Sequence, residues 1–206
     1  MPAPDLIELA GKVRDYPNKV AELGLGPLDY QVSADLTIHI STLGERRMRV
    51  VGLGIGWDEL KAGDKLKTIN RTITEADLVN FINATGMVEM IFTDATFNDR
   101  HGAIKGGRPV PGALVYCFCE GLLVQGTMQM TGLAMLETTM KTVGPTNVGD
   151  TIHCEFEVLS VRKTSKGGRG IVKTRNDAIN QNGEIVLSYE AVRMMASQEQ
   201  RDAIAQ

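Results

Sequence analysis

Pro111-Gly-Ala-Leu-Val-Tyr-Cys-Phe-Cys-Glu-Gly-Leu-Leu-Val-Gln125 is apolar nearly all round, with a proline near its first turn. Leu114, Phe118, Gly121, Leu122 and Gln125 fall along one stripe, which predicts a buried helix. Everything after it reads as strand. Leu133 to Val143 ends before Pro145, and Asn147-Val-Gly-Asp150 supplies a turn. Ile152, Cys154, Phe156 and Val158 then alternate with His153, Glu155 and Glu157. Lys166-Gly-Gly168 is a loop, and Arg169–Ile179 and Glu184–Met195 flank the hairpin signal Asn182-Gly183. A long hydrophobic helix followed by a meander able to wrap it implies an α+β domain, its antiparallel sheet curled around that helix.

Upstream, Leu66–Ile73 reads as a strand, and Thr74-Glu-Ala-Asp77 is a capping box that opens a second helix. Leu78, Phe81 and Ile82 anchor that helix, and Gly86 is placed to stop it. Asp5–Leu23 predicts two short helical segments broken at Pro17, and Leu36, Ile38 and Ile40 alternate as a strand would. Arg46–Val51 is its expected hairpin partner. Val51-Gly-Leu-Gly-Ile-Gly56 has the glycine spacing of a dinucleotide loop. The segment that follows, Trp57 to Asp64, contains Gly63 and makes a poor crossover helix, so no cofactor is expected.

The chain has 206 residues and a mass of 22.4 kDa, enough for one sizeable domain or a smaller one with an appendage. Its formal net charge of −3 gives no indication of a basic nucleic-acid surface. The start of the chain lacks the basic then apolar run of a secretion signal. The best apolar run, Val110–Val124, carries Glu120 and two glycines, so no membrane span is expected. Cys117, Cys119 and Cys154 are odd in number and sit in apolar contexts, which predicts buried thiols in a reducing cytoplasm. Cys117-x-Cys119 is not a zinc spacing, and no metal is expected. His39 and His153 fall on the polar phase of strands and His101 in a turn, all three at the surface.

Three phrases, taken in order, resemble one family. Ala62-Gly-Asp-Lys-Leu66 with Arg71-Thr-Ile-Thr-Glu-Ala-Asp-Leu-Val-Asn-Phe81 is similar to the opening of MaoC-like hot-dog proteins, the (R)-specific enoyl-CoA hydratases and dehydratases. Arg108-Pro-Val-Pro-Gly112-Ala-Leu114, continuing to Glu120-Gly-Leu122, looks like the start of their central helix. Val148-Gly-Asp-Thr151 and Asn180-Gln-Asn-Gly-Glu-Ile-Val186 resemble their closing strands. The resemblance implies a hot-dog domain over residues 57–195, an N-terminal extension over 1–56 that packs on it, and a C-terminal tail over 196–206. It also implies a dimer with an identical or a different hot-dog subunit.

The family's active-site phrase is Thr/Ser-Gly-Asp-x-Asn-Pro-Ile/Leu-His-x-Asp, whose Asp and His deliver one water across an enoyl thioester. Here the same frame reads Thr85-Gly-Met-Val-Glu-Met-Ile-Phe-Thr-Asp94. Met87 stands at the Asp, Glu89 at the Asn, Met90 at the Pro and Phe92 at the His. Neither Met nor Phe exchanges a proton near neutral pH. Gly112 matches the glycine whose backbone N–H meets the thioester oxygen, with Ala113 following it in the first turn. The His that precedes this glycine in the family is Pro111 here.

The resemblance therefore implies an acyl-CoA binder that keeps the carbonyl cradle without the dyad. Some hot-dog assemblies pair an inactive half with an active one. The alternative is an active hydratase, dehydratase or thioesterase using a relocated carboxylate, Glu89, against which stands a plain solvated loop residue. Asp94 is a second catalytic candidate and, more simply, an N-cap for Ala95–Asp99. Met87, Met90 and Phe92 are expected along the acyl site. Lys105, Arg108 and the pair Arg46-Arg47 are candidates for the coenzyme A phosphates.

Overall fold

The computed structural model of the chain describes residues 50–101, 106–165 and 167–205. Expectations for Asp5–Leu23, Leu36–Ile40, His39, Arg46-Arg47 and Lys105 lie outside the described residues. Helix α1, Glu75–Thr85, forms as its capping box requires. The Thr74 hydroxyl accepts from the Asp77 amide, Asp77 accepts from the Thr74 amide at 2.8 Å, and Gly86 closes the helix at φ 70°. Two short helices follow, α2 at Met90–Thr93 and α3 at Phe97–His101. The central helix α4 runs Gly112–Leu123 and passes into a π-turn over Val124–Met128.

The described sheet has six strands: β1 Lys65–Lys67, β2 Arg71–Thr72, β3 Gly132–Thr142, β4 Thr151–Lys163, β5 Gly170–Ile179 and β6 Ile185–Met195. Their order is β1-β4-β5-β6-β3, β2 also pairs with β4, and every pairing is antiparallel. Alternation along β4, β5 and β6 puts Ile152, Cys154, Phe156, Ala178, Leu187 and Tyr189 inward, where they meet Leu114, Val115, Cys119 and Leu123 of α4. This is the α+β arrangement the sequence implies.

Three details differ from expectation. Leu66–Ile73 is not one strand. The chain departs from β4 after Thr68, whose N–H donates to Cys154 O and whose hydroxyl accepts from the Cys154 amide, both at 2.9 Å, and it pairs again at Arg71. Helix α4 buries one face only, so Cys117 is exposed while Cys119 and Cys154 are buried. His153 is half-buried, with Nε2 3.2 Å from Glu155 Oε1. The β5–β6 hairpin forms around Asn182-Gly183 as expected, its turn over residues 180–184 organised by Asn180 Oδ1, which accepts from the amides of Asn182 and Glu184.

Strand β3 behaves unlike its neighbours. All of its residues are exposed, and it carries bulges between Gly132 and Ala134 and between Met135 and Glu137. Bulges commonly bend an edge strand away from further pairing.

The glycines of Val51–Gly56 have a packing explanation. Gly54 N donates to Gln129 O at 2.8 Å and Ile55 N to Thr127 O at 2.8 Å, so this strap lies directly on the π-turn. At its far end it meets helix α5, Gln198–Ile204, where Arg201 Nη1 donates to Gly54 O at 2.6 Å and to Glu59 Oε2 at 2.7 Å. A Cβ at Gly56 would stand 2.4 Å from Gln198 N and 2.9 Å from Ser197 C, both backbone atoms. Gly56→Ala should therefore lower unfolding stability by about 1–3 kcal/mol, read as a fall in the denaturant midpoint.

Candidate functional site

Two pieces of backbone build the region that the sequence marks as the site. The first is the segment after α1. Past Gly86 the chain turns tightly and re-enters helix at α2, which Glu89 caps: its Oε2 accepts from the Ile91 amide at 2.8 Å. Glu89 is thus an exposed carboxylate engaged with a helix terminus. Met87, Val88 and Met90 around it are also exposed, at 39%, 75% and 53%. Phe92 turns inward and packs against the core.

Asp94 accepts from the Thr96 hydroxyl at 2.8 Å and the Thr96 amide at 2.9 Å. Those bonds, with Arg100 beside it, hold its carboxyl below the usual range and ionised at neutral pH. It organises the turn before α3, which begins at Phe97, later than the Ala95 start expected from sequence.

Arg108 joins this segment to α1. Its Nη2 donates to Phe92 O at 2.6 Å and its Nη1 pairs with Glu75. Both terminal nitrogens of the guanidinium that the sequence offers for a phosphate are engaged within the fold.

The second piece is the start of α4. Val110 N donates to Thr146 O at 2.8 Å and Val148 N to Arg108 O at 2.9 Å, which fixes the approach of the chain to Pro111. Gly112 is the first helical residue, and the leading N–H groups of a helix have no intrahelical acceptor. A Cβ at Gly112 would stand 2.8 Å from Thr142 Oγ1, so a larger residue there would require the Thr142 side chain to move.

Here lies a cavity of about 100 Å³, lined by Val110, Gly112, Val115, Thr142, Thr146 and Leu187, with the Gly144-Pro145 turn and Val186 closing it. None of these side chains titrates near neutral pH. Ala113, Met87, Glu89, Met90, Phe92, Asp94 and Arg108 are not in the wall. Thr142 and Thr146 are, and the sequence marks neither, since a Thr in a strand and a Thr in a turn carry no distinguishing pattern.

A third group was also invisible to pattern reading. Beneath α4, Glu120 Oε1 accepts from Tyr189 OH at 2.5 Å and from Arg193 Nη2, and Arg193 Nη1 donates to Thr174 Oγ1 at 2.8 Å. Burial, and then the Glu120 charge, push the Tyr189 phenol well above its ordinary value, so it remains a donor. Although Cys117 is exposed, partial desolvation against the fold raises its thiol, again with Glu120 as the second cause. Among the described residues no group of three or more His, Cys, Asp or Glu side chains gathers as a metal site would, and no helix is long and apolar enough to cross a membrane.

The family model described as the FAS1-like, dehydratase domain region matches residues 60–189. Comparison with curated proteins yields no match. Among solved structures, the R-hydratase PhaJ1 from Pseudomonas aeruginosa is 26% identical, with 70% of this chain and 88% of that one covered at a TM-score of 0.59. A MaoC-like dehydratase from Rhodospirillum rubrum is 24% identical, with 70% and 99% covered at a TM-score of 0.61. A Mycobacterium tuberculosis protein described as having a double hotdogfold is 18% identical, with 73% and 46% covered at a TM-score of 0.64.

Proposed function

Since the chain belongs to the FAS1-like dehydratase-region family and has the MaoC-like hot-dog fold, we propose that it binds an acyl thioester at the start of α4 without hydrating it. The supporting observation is the Gly112 cavity, which combines a helix N-terminus with two threonine hydroxyls and no titratable side chain. Backbone N–H groups at a helix start polarise a carbonyl oxygen without a side chain. Adding water across a double bond needs, besides that, a group to take a proton and one to return it. Met87 and Phe92, in the family's dyad positions, are neither.

The same reading gives the chain a partner, a second hot-dog subunit, identical or dyad-bearing. Support comes from the edge strand β3, with Leu133, Met135, Leu136 and Met140 at 40–51% exposure, and from Cys117 and Val124, exposed along α4 and its π-turn. Free cysteines suit the cytoplasm as the place of action.

Calorimetric titration of the purified protein with an acyl-CoA tests the reading. The expected result is saturable binding in the wild type, weakened at least about tenfold in Gly112→Val, whose side chain would collide with Thr142 and displace the carbonyl. Absence of binding by the folded wild type, or equal affinity in the variant, overturns it.

A further inference from the structure

Strand β3 stands last in the order of the sheet, so its outer edge pairs with no other strand among the described residues. Both of its bulges lie in its first half, and from Glu137 to Thr142 it runs along β6 without a register shift. Along an antiparallel strand, successive residues turn their backbone N–H and C=O to opposite edges. Val143 N donates to Val186 O at 2.9 Å in the same register, so Glu137, Thr139 and Lys141 also turn theirs to β6. Thr138, Met140 and Thr142 turn theirs to the free edge.

Side chains alternate as well. Met140 stands opposite Tyr189, a core residue, which puts Glu137, Thr139 and Lys141 together on the outer face. All three are exposed, and neither Glu137 nor Lys141 has an ion pair among the described residues. Lys173 on the same face is taken by Glu190 at 2.6 Å. The open edge therefore carries an unpaired anion and an unpaired cation, spaced symmetrically about Thr139.

We propose that this edge binds the same edge of a second copy of the chain, antiparallel about a two-fold axis at Thr139. The inference rests on the reading of a hot-dog partner and selects the identical one. In this register Thr139 opposes its own copy, Glu137 the copy's Lys141, and Lys141 the copy's Glu137. Thr138 and the copy's Met140 exchange the backbone hydrogen bonds, as the edge-facing groups require. The charged residues then fall in the non-hydrogen-bonded pairs, where opposed side chains come closest.

Other registers lose this match. An axis at Thr138 or Met140 sets both charges against uncharged residues. An axis at Glu137 or Lys141 sets like charges against each other. A foreign subunit would have to reproduce the spacing that this edge already carries for itself. Pairing ends where Thr142 meets the copy's Leu136, at the second bulge. Thr142 lines the Gly112 cavity, so the copy brings an apolar side chain beside that site.

Sedimentation velocity of the full chain, with charge-reversed variants, is the test. The wild type is expected to be a dimer. Glu137→Lys or Lys141→Glu alone opposes like charges twice per dimer and should weaken it at least about tenfold. An equal mixture of the two variants should recover the dimer, since each then offers the charge the other needs. The double variant, with both charges exchanged, should return to within about threefold of the wild type. A monomeric wild type, a dimer undisturbed by either single change, or no recovery in the mixture and the double variant overturns the proposal. If a single variant fails to fold by circular dichroism, the wild type and the double variant decide. Acyl-CoA titration is read separately, so a monomer that binds acyl-CoA ends this inference and leaves the thioester reading intact.

Discussion

Assayed alone on crotonyl-CoA or a longer enoyl-CoA, the protein is expected to hydrate roughly 10⁴-fold more slowly than a family member carrying the Asp and His. A positioned acid or base contributes roughly 10²–10⁴-fold. Because the two groups handle the same water, their losses do not multiply, and the expected deficit sits near the upper end for one. Among the described residues the two candidate carboxylates are engaged elsewhere. Glu89 has its Oε2 on the Ile91 amide, and Asp94 is engaged by Thr96 and Arg100 and held ionised. Neither lines the Gly112 cavity. Turnover by the isolated protein at an ordinary enzyme rate, about 10 s⁻¹, would sink the proposal. Mixing the protein with a dyad-bearing hot-dog subunit that it joins should restore hydration, with the acid and base coming from that subunit.

The parts of the fold visible in the sequence are those governed by local rules. Thr74, Asp77 and Gly86 delimit α1 through hydrogen bonds and a backbone conformation that span only a few residues. The inward phase of β4 likewise follows from alternation alone. What escaped depends on residues distant in the chain. Thr68 ends β1 because of Cys154, which no local pattern contains. The glycines at 54 and 56 imitate a nucleotide loop, and their true constraint is the backbone at Gln129 and Gln198. Helix α4 is apolar on a face that the described chain leaves open, so composition alone predicted full burial. The candidate site divides in the same way. Gly112 was marked by its match to the family's glycine, whereas Thr142 and Thr146 reach the cavity beside it through sheet register and a turn.

Replacing Arg193 is expected to be among the most damaging single changes in the domain. Arg193→Met should cost about 3–5 kcal/mol, the usual range when one partner of a buried ion pair is removed. For a domain of this size that is a fall in Tm of roughly 6–20 °C. The side chain of Arg193 is 4% exposed and that of Glu120 18%, so the carboxylate left behind regains little hydration and the cost stays within that range. Tyr189 OH still donates to it, and Thr174 loses the Arg193 Nη1 donor.

Chemical denaturation of the single variants and of Glu120→Leu/Arg193→Met separates pairing from packing. If the loss comes from an uncompensated charge, the double variant should be more stable than Arg193→Met, because no lone carboxylate remains. Additive losses would assign the effect to packing alone. A change within about 0.5 kcal/mol for Arg193→Met would mean that the pair does not anchor α4 at all. The anchor bears on binding as well as stability. Glu120 and Gly112 are on one rigid helix, so a shift of the Glu120 end moves the N–H groups proposed to hold the thioester oxygen. Arg193→Met should therefore weaken acyl-CoA binding even at temperatures where the variant is fully folded.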